Sequence, residues 1–223
     1  MILTNRLFER KAPSRNAKSI YIFCEGLRRE YDYFKYFKEK DSRINIEVHK
    51  LSPNDDNSPF GLYNIAEQAF SPSENGDSKF SLEEGDEVWI VIDTDPDKGD
   101  SRVDQILQIR ENCSKKNKWF VTESNPCFEV WLYYHRFENL ELIEEIPNVC
   151  NNWKSLVNTS IVGGFDSRKH PIFIQNATIN SEMVHIKNDK KLDKGQTEVY
   201  NLGKSILSIL EEKINLIKEK IQI

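Results

Sequence analysis

The stretch Val88-Trp89-Ile90-Val91-Ile92-Asp93-Thr94-Asp95-Pro96-Asp97 decides the fold. Five apolar residues, mostly β-branched or aromatic, run without alternation into carboxylates and a proline. A run with no polar face fits a strand covered on both sides, as in a parallel sheet flanked by helices. Pro96 has no N–H to give a ladder, so the strand is expected to end between Asp93 and Asp95. That places carboxylates at the carboxyl end of a buried strand, where open α/β sheets keep their sites. Asp and Pro are also ordinary turn formers, so the stretch by itself reads equally as a strand followed by an Asp-rich turn.

Working outward, Ser19-Ile20-Tyr21-Ile22-Phe23-Cys24 is a second non-alternating run, ending at Glu25-Gly26, a carboxylate followed by a turn-permitting residue. From Leu27 to about Lys40 the pattern turns helical, with Tyr33, Phe34, Tyr36 and Phe37 on a broad aromatic face. Ile44, Ile46 and Val48 alternate with polar residues, as in a half-exposed strand at a sheet edge. Residues 52–59 read as a loop, Leu62 to Ala69 as a short helix and 71–86 as another loop. After the opening strand, Asp100 or Ser101 is placed to cap a helix carrying Val103, Ile106, Leu107 and Arg110. Lys118 to Thr122 is a further strand. Asn125 is then expected as the N-cap and Pro126 as the first residue of a helix running to about His135.

The order β-α-β-α-β-α-β-α argues for an α/β layered domain with a mainly parallel sheet flanked by helices. Residues 1–18, with Arg6, Arg10, Lys11, Arg15 and Lys18, read as a basic flexible arm, and 19–137 as the core. Residues 138–223 read as a mostly helical elaboration. It holds short helices and loops, a charged segment Lys187-Asn188-Asp189-Lys190-Lys191, and a long final helix from Val199 to about Ile221 packed on the core.

A chain of 223 residues is long enough for a core that needs neither disulfide nor metal. With 38% hydrophobic and 30% charged residues it reads as soluble, no apolar run reaches the length of a membrane span, and the N-terminus lacks an apolar signal region. Cys24, Cys113, Cys127 and Cys150 show no paired spacing and read as reduced thiols, so a cytoplasmic location is expected. A net charge of −5 argues against a general nucleic-acid coat but not against an enzyme working through a local basic patch and a metal. His49, His135, His170 and His185 lack metal-ligand spacing, and no P-loop is present, so any ATPase activity belongs to another chain.

Parallel strands bring Glu25, Asp93, Asp95 and Glu129 towards one edge of the sheet. Asp93 and Asp95, at i and i+2, reach one cation if strand conformation persists. Oxygen ligands of this kind suit Mg²⁺ or Mn²⁺.

The segments Cys24-Glu25-Gly26 with Glu30, Tyr31 and Phe34, then Ile92-Asp93-Thr94-Asp95, then Ser124-Asn125-Pro126-Cys127-Phe128-Glu129-Val130-Trp131-Leu132 resemble the RloB-like family, over roughly residues 15–140. That family is placed near the Toprim nucleases and found in prokaryotic defence loci. The resemblance implies a Toprim-like core and a metal-dependent nuclease acting on DNA or RNA, tRNA included. It implies Glu25 as general acid or base and metal ligand, and Asp93 and Asp95 holding Mg²⁺ or Mn²⁺, with Asp97 as an accessory ligand. An ATPase partner from the same locus and a homo-oligomer belong to the same expectation. Ser124, Asn125 and Glu129 are accessory candidates: Asn125 either serves the site or caps its helix, and Glu129 either serves it or pairs with a basic neighbour. Arg28-Arg29 stand where the family more often has Lys-Thr; they either meet phosphate oxygens or form a solvated helix start. Two other readings stay open. One is a haloacid-dehalogenase-type phosphotransferase with Asp93 as nucleophile and Asp95 as acid/base, although that motif normally opens its domain. The other is a non-catalytic subunit of a defence complex.

Overall fold

A computed structural model describes residues 10–73, 76–185 and 192–220, except the side chain of Asp100. Arg6 of the basic arm, the segment Lys187 to Lys191 and the end of the last helix at Ile221 lie outside the described residues. Strands β1 (Lys18–Cys24), β2 (Ile44–His49), β3 (Glu87–Asp93) and β4 (Trp119–Ser124) form one all-parallel sheet in the order β2-β1-β3-β4. The alternating strand β2 is at the edge, as its pattern requires. The two unbroken runs, β1 and β3, are central.

Their alternate residues feed two separate cores, which is why neither strand could carry a polar face. Tyr21, Phe23, Val88, Ile90 and Ile92 pack beneath α2 (Pro59–Phe70) and α3 (Asp100–Ser114). Ile20, Ile22, Cys24, Trp89 and Val91 face the larger core. That core is closed by α1 (Arg29–Lys35), α4 (Glu129–Tyr133), α5 (Cys150–Ser160), α6 (Ile174–Val184) and α7 (Val199–Lys220). The fold is therefore the expected α/β layered one, with helices completing the second face from beyond residue 137.

Several boundaries differ from the sequence reading. Residues 59–61, read as the end of a loop and a gap, belong to α2: Ser58 caps it by accepting from the Gly61 N–H at 3.1 Å, with Pro59 in its first turn. Helix α3 already begins at Asp100, so its cap position is Gly99, at φ 85°, and not Asp100 or Ser101. Its buried face is Arg102, Ile106, Ile109 and Cys113, whereas Leu107 is exposed. Asn125 and Pro126 do not open a helix. Their peptide is cis, and α4 begins only at Glu129. Asn125 finds its partners elsewhere, described below. Residues 11–18 lie along the 39–43 loop, with Lys11 N–H to Glu39 O at 3.0 Å, Ser14 N–H to Ser42 O at 2.8 Å and Lys18 N–H to Arg43 O at 3.0 Å, and Lys18 is already the first residue of β1.

The region after residue 137 also touches the sheet's end. Thr197 bridges Ser124 antiparallel, Glu198 N–H donates to Glu123 O at 2.8 Å, and Asn125 N–H donates to Gln196 O at 2.9 Å.

Candidate active site at the carboxyl edge of the sheet

The chain steps from β1 out to β2, then returns past β1 to β3 and β4. The carboxyl ends of β1 and β3 therefore flank the point where the winding reverses, the usual crevice of an open α/β sheet. Glu25 follows β1 and Asp93 ends β3. Their strands pair directly, and Glu25 Oε2 accepts the backbone N–H of Asp93 at 3.3 Å. Glu25 is buried and held by two cations. Lys98 donates to Oε1 at 3.0 Å, and the buried Arg102 guanidinium bonds Oε2 while also donating to the Asp93 carbonyl at 2.8 and 2.9 Å. Arg102 thus ties the ends of β1 and β3 together from below.

Two further carboxylates complete the cluster. Glu30, in the first turn of α1, is buried and lies over Gly26; a Cβ at position 26 would strike its carboxylate. This close approach, not turn geometry, is what position 26 requires. Burial is the main cause that pushes Glu30 up to about 7, with Glu129 and Glu25 adding repulsion. Glu129 is buried and within 3.1 Å of the Arg29 guanidinium, a charge contact without hydrogen-bond geometry at that nitrogen. Asp93 is held well above the ordinary carboxylate range, first by desolvation and then by Glu30, Glu25 and Glu129. Glu25, Glu30, Asp93, Asp95 and Glu129 thus outnumber the cations Arg29, Lys98 and Arg102 among them.

The condition for Asp93 and Asp95 to point the same way is not met. The strand stops at Asp93, and Asp95 adopts a left-handed conformation at φ 43°. Its backbone N–H donates to Pro126 O at 3.0 Å. Its carboxylate receives Lys98 Nζ at 2.7 Å and the Cys150 thiol at 2.8 Å. Burial raises its pKa, but these donors outweigh it and hold the group below its usual value. The Lys98 ammonium consequently bridges Glu25 and Asp95. Among the described residues, no three Asp, Glu, His or Cys side chains already stand in metal-ligand geometry.

The remaining candidates separate. Asn125 accepts from Thr94 Oγ1 at 3.0 Å and donates to Leu192 O at 2.6 Å, fixing the turn that carries Asp95 to the chain beyond α6. Ser124 is fully buried beside Asp93 in the sheet register, but its hydroxyl is taken up in a hydrogen bond with Thr197 at 2.7 Å. Asp97 is exposed in the turn Pro96–Lys98. The two arginines have different surroundings: Arg29 serves Glu129, while Arg28 is 92% exposed and only 3.9 Å from Asp32. His135 is structural. Its Nδ1 faces Trp131 O at 3.0 Å, so that nitrogen carries the proton, and Nε2 accepts from the Tyr33 hydroxyl at 2.9 Å.

Glu30, Lys98, Arg102 and Cys150 were not among the sequence candidates. Glu30 and Arg102 carried a signal, since each continues an apolar helix stripe by one turn: Glu30 with Tyr33, Phe34 and Phe37, Arg102 with Ile106 and Ile109. A charge on a buried face needs a partner, and both point to the same edge of the sheet.

A family model described as RloB-like protein matches residues 20–206 of the chain. No curated protein and no solved structure matches.

Proposed function

The chain belongs to the RloB-like family, and from that membership and the carboxylate geometry we propose that it is a metal-dependent nuclease of the Toprim type, cleaving phosphodiester bonds in DNA or RNA in prokaryotic defence. The observation that carries this reading is the meeting of Glu25 and Asp93 across the switch point, within one hydrogen bond of each other. An excess of carboxylate over cation, with Asp93 and Glu30 raised, is an arrangement a divalent cation would relieve. The donors are carboxylate oxygens, which suit Mg²⁺ or Mn²⁺ rather than a softer metal.

Asp93, Asp95 and Glu25 would hold the ion, with Glu30 and Glu129 beside them. When bound, it supplies neutralisation of phosphodiester charge and activation of water. Glu25 moves a proton to or from the reacting oxygen, and Arg102 keeps its carboxylate turned to the crevice. Thr94 and Asn125 hold the Asp95 turn in place. Arg28, exposed just before α1, would meet a phosphate of the nucleic acid.

The test is cleavage of a panel of duplex DNA, single-stranded RNA and tRNA with Mg²⁺ or Mn²⁺, alone and with an ATPase from the same locus. Loss of metal-dependent cleavage in folded Asp93→Asn and Glu25→Gln supports the nuclease. Acid-trappable phosphate on the wild type, lost in Asp93→Asn without any cleavage, would replace it with a phosphotransferase. Inactivity under every condition would leave a non-catalytic subunit.

A further inference from the structure

Two cations bind Glu25, and they are built differently. Arg102 rises from α3 with its side chain 6% exposed, and its guanidinium is also tied to the Asp93 carbonyl. Lys98 reaches in from the turn Pro96–Lys98 with its side chain 50% exposed. The two cations also divide the carboxylate: Arg102 and the Asp93 N–H take Oε2, and Lys98 takes Oε1. Only the outer cation is free to leave without opening the core.

Lys98 Nζ lies 3.0 Å from Glu25 Oε1 and 2.7 Å from Asp95 Oδ2, so one positive charge joins two carboxylates from the turns that follow different strands. A divalent ion of the Mg²⁺ kind seated between those oxygens would draw each to about 2.0–2.1 Å and cannot share the position with an ammonium group. We infer that Lys98 is an internal competitor for the metal: its ammonium occupies the cation position between Glu25 and Asp95, and the ion enters only as Lys98 swings out to solvent. The inference rests on the divalent-cation reading above. The exchange replaces one positive charge by two in a cluster where carboxylates are in excess, so the site favours the ion once it is present at sufficient concentration. It gives the chain a threshold, with the acidic site closed by its own lysine when divalent cation is scarce. Arg102 holds Glu25 in position throughout, so the crevice does not collapse when Lys98 leaves.

The probe is Mn²⁺ alone, titrated into the full chain and followed by the electron paramagnetic resonance of free Mn²⁺, with melting temperature as a check of folding. Lys98→Met is expected to bind Mn²⁺ about tenfold more tightly than the wild type, equivalent to about 1.4 kcal/mol. Lys116→Met, which removes an ammonium paired with Glu67 elsewhere on the surface, is expected to bind as the wild type does. Adding Asp95→Asn to Lys98→Met should remove the gain. Equal or weaker binding in Lys98→Met, with wild-type binding lost in Asp93→Asn, would overturn the competition and leave the metal reading intact. A gain that survives Asp95→Asn would place the ion elsewhere and also overturn it. If neither the wild type nor Lys98→Met takes up Mn²⁺, both readings fall together.

Discussion

The two ends of β3 carry a carboxylate each, and they are opposites. Glu87, at the start, accepts from Lys18 at 2.6 Å, from the Trp89 indole at 2.9 Å and from the Ser205 hydroxyl, and despite burial these donors hold it below the usual carboxylate range. Asp93, six residues on, meets Glu25, Glu30 and Glu129 and is driven the other way. One end of the strand is a satisfied network, anchored across to α7 through Ser205. At the other, burial and the neighbouring carboxylates push Asp93 towards its protonated form. A buried acid whose donors are all present belongs to the fold, whereas one raised by burial and like charges in a crevice marks a candidate site.

Four measurements break or sharpen that contrast. The largest effect is expected from exchanging carboxylate for amide at the two ends. Asp93→Asn should lower metal-dependent cleavage by at least about 10²-fold, the scale of losing a group that acts directly in such a site, with no loss of melting temperature. Glu87→Gln should leave cleavage intact and cost about 1–3 kcal/mol of stability in chemical denaturation, because its donors lose a charged acceptor. Swapped outcomes would reverse the assignment of the two ends.

The pH dependence comes next, and its signs are opposite. Glu30 is raised to about 7, so its contribution to stability is complete below about pH 4.5 and lost as pH rises through 7. Glu30→Gln should therefore stabilise the metal-free protein at pH 8, by up to about 3 kcal/mol, and do little at pH 4.5. Glu87 is lowered, so its contribution is present above about pH 4.5 and lost on further acidification. A Glu30→Gln effect independent of pH would show that the acidic cluster is not the cause.

His135 adds a third titration away from both ends. Burial lowers it to about 3, so it contributes stability above pH 6.5 that is lost as pH falls towards 3. His135→Gln should flatten the acid limb of the stability profile between those limits. The smallest effect concerns the exposed rim: Arg28→Ala should reduce the salt dependence of nucleic-acid binding by about one phosphate contact without changing the melting temperature.

Much of this molecule was legible beforehand, for a definite reason. The unbroken runs of β1 and β3 dictated burial on both faces, and the alternation of β2 dictated an edge. Parallel strands alone bring Glu25 and Asp93 to one edge of the sheet; that they meet depends on β1 and β3 being neighbours, which the runs do not specify. What was not legible depends on which way a side chain turns at an irregular joint. Asp95 leaves the strand in a left-handed residue, and no periodicity announces that. Asn125-Pro126 has the composition of a helix start, yet Asn125 is engaged by Leu192, 67 residues further along the chain. Cys150 reaches Asp95 from a helix in a stretch whose pattern gave only scattered apolar residues. In α3 the apolar pattern through Val103 and Leu107 lies one position from the buried stripe. That shift hid Arg102 on the buried face.

The hold of Leu192 on Asn125 also bears on when the site can exist during synthesis. The four strands are all present once residue 124 has been made, and the sheet could close while the chain is still attached to the ribosome. Asn125, however, cannot donate to Leu192 O until residue 192 has emerged, nor can Ser124 find its partner until Thr197 has. A nascent chain arrested earlier would carry Glu25 and Asp93 on adjacent strands while lacking the clasp that seats the Asp95 turn. Completion of the acidic crevice in this way waits on residues 192–197.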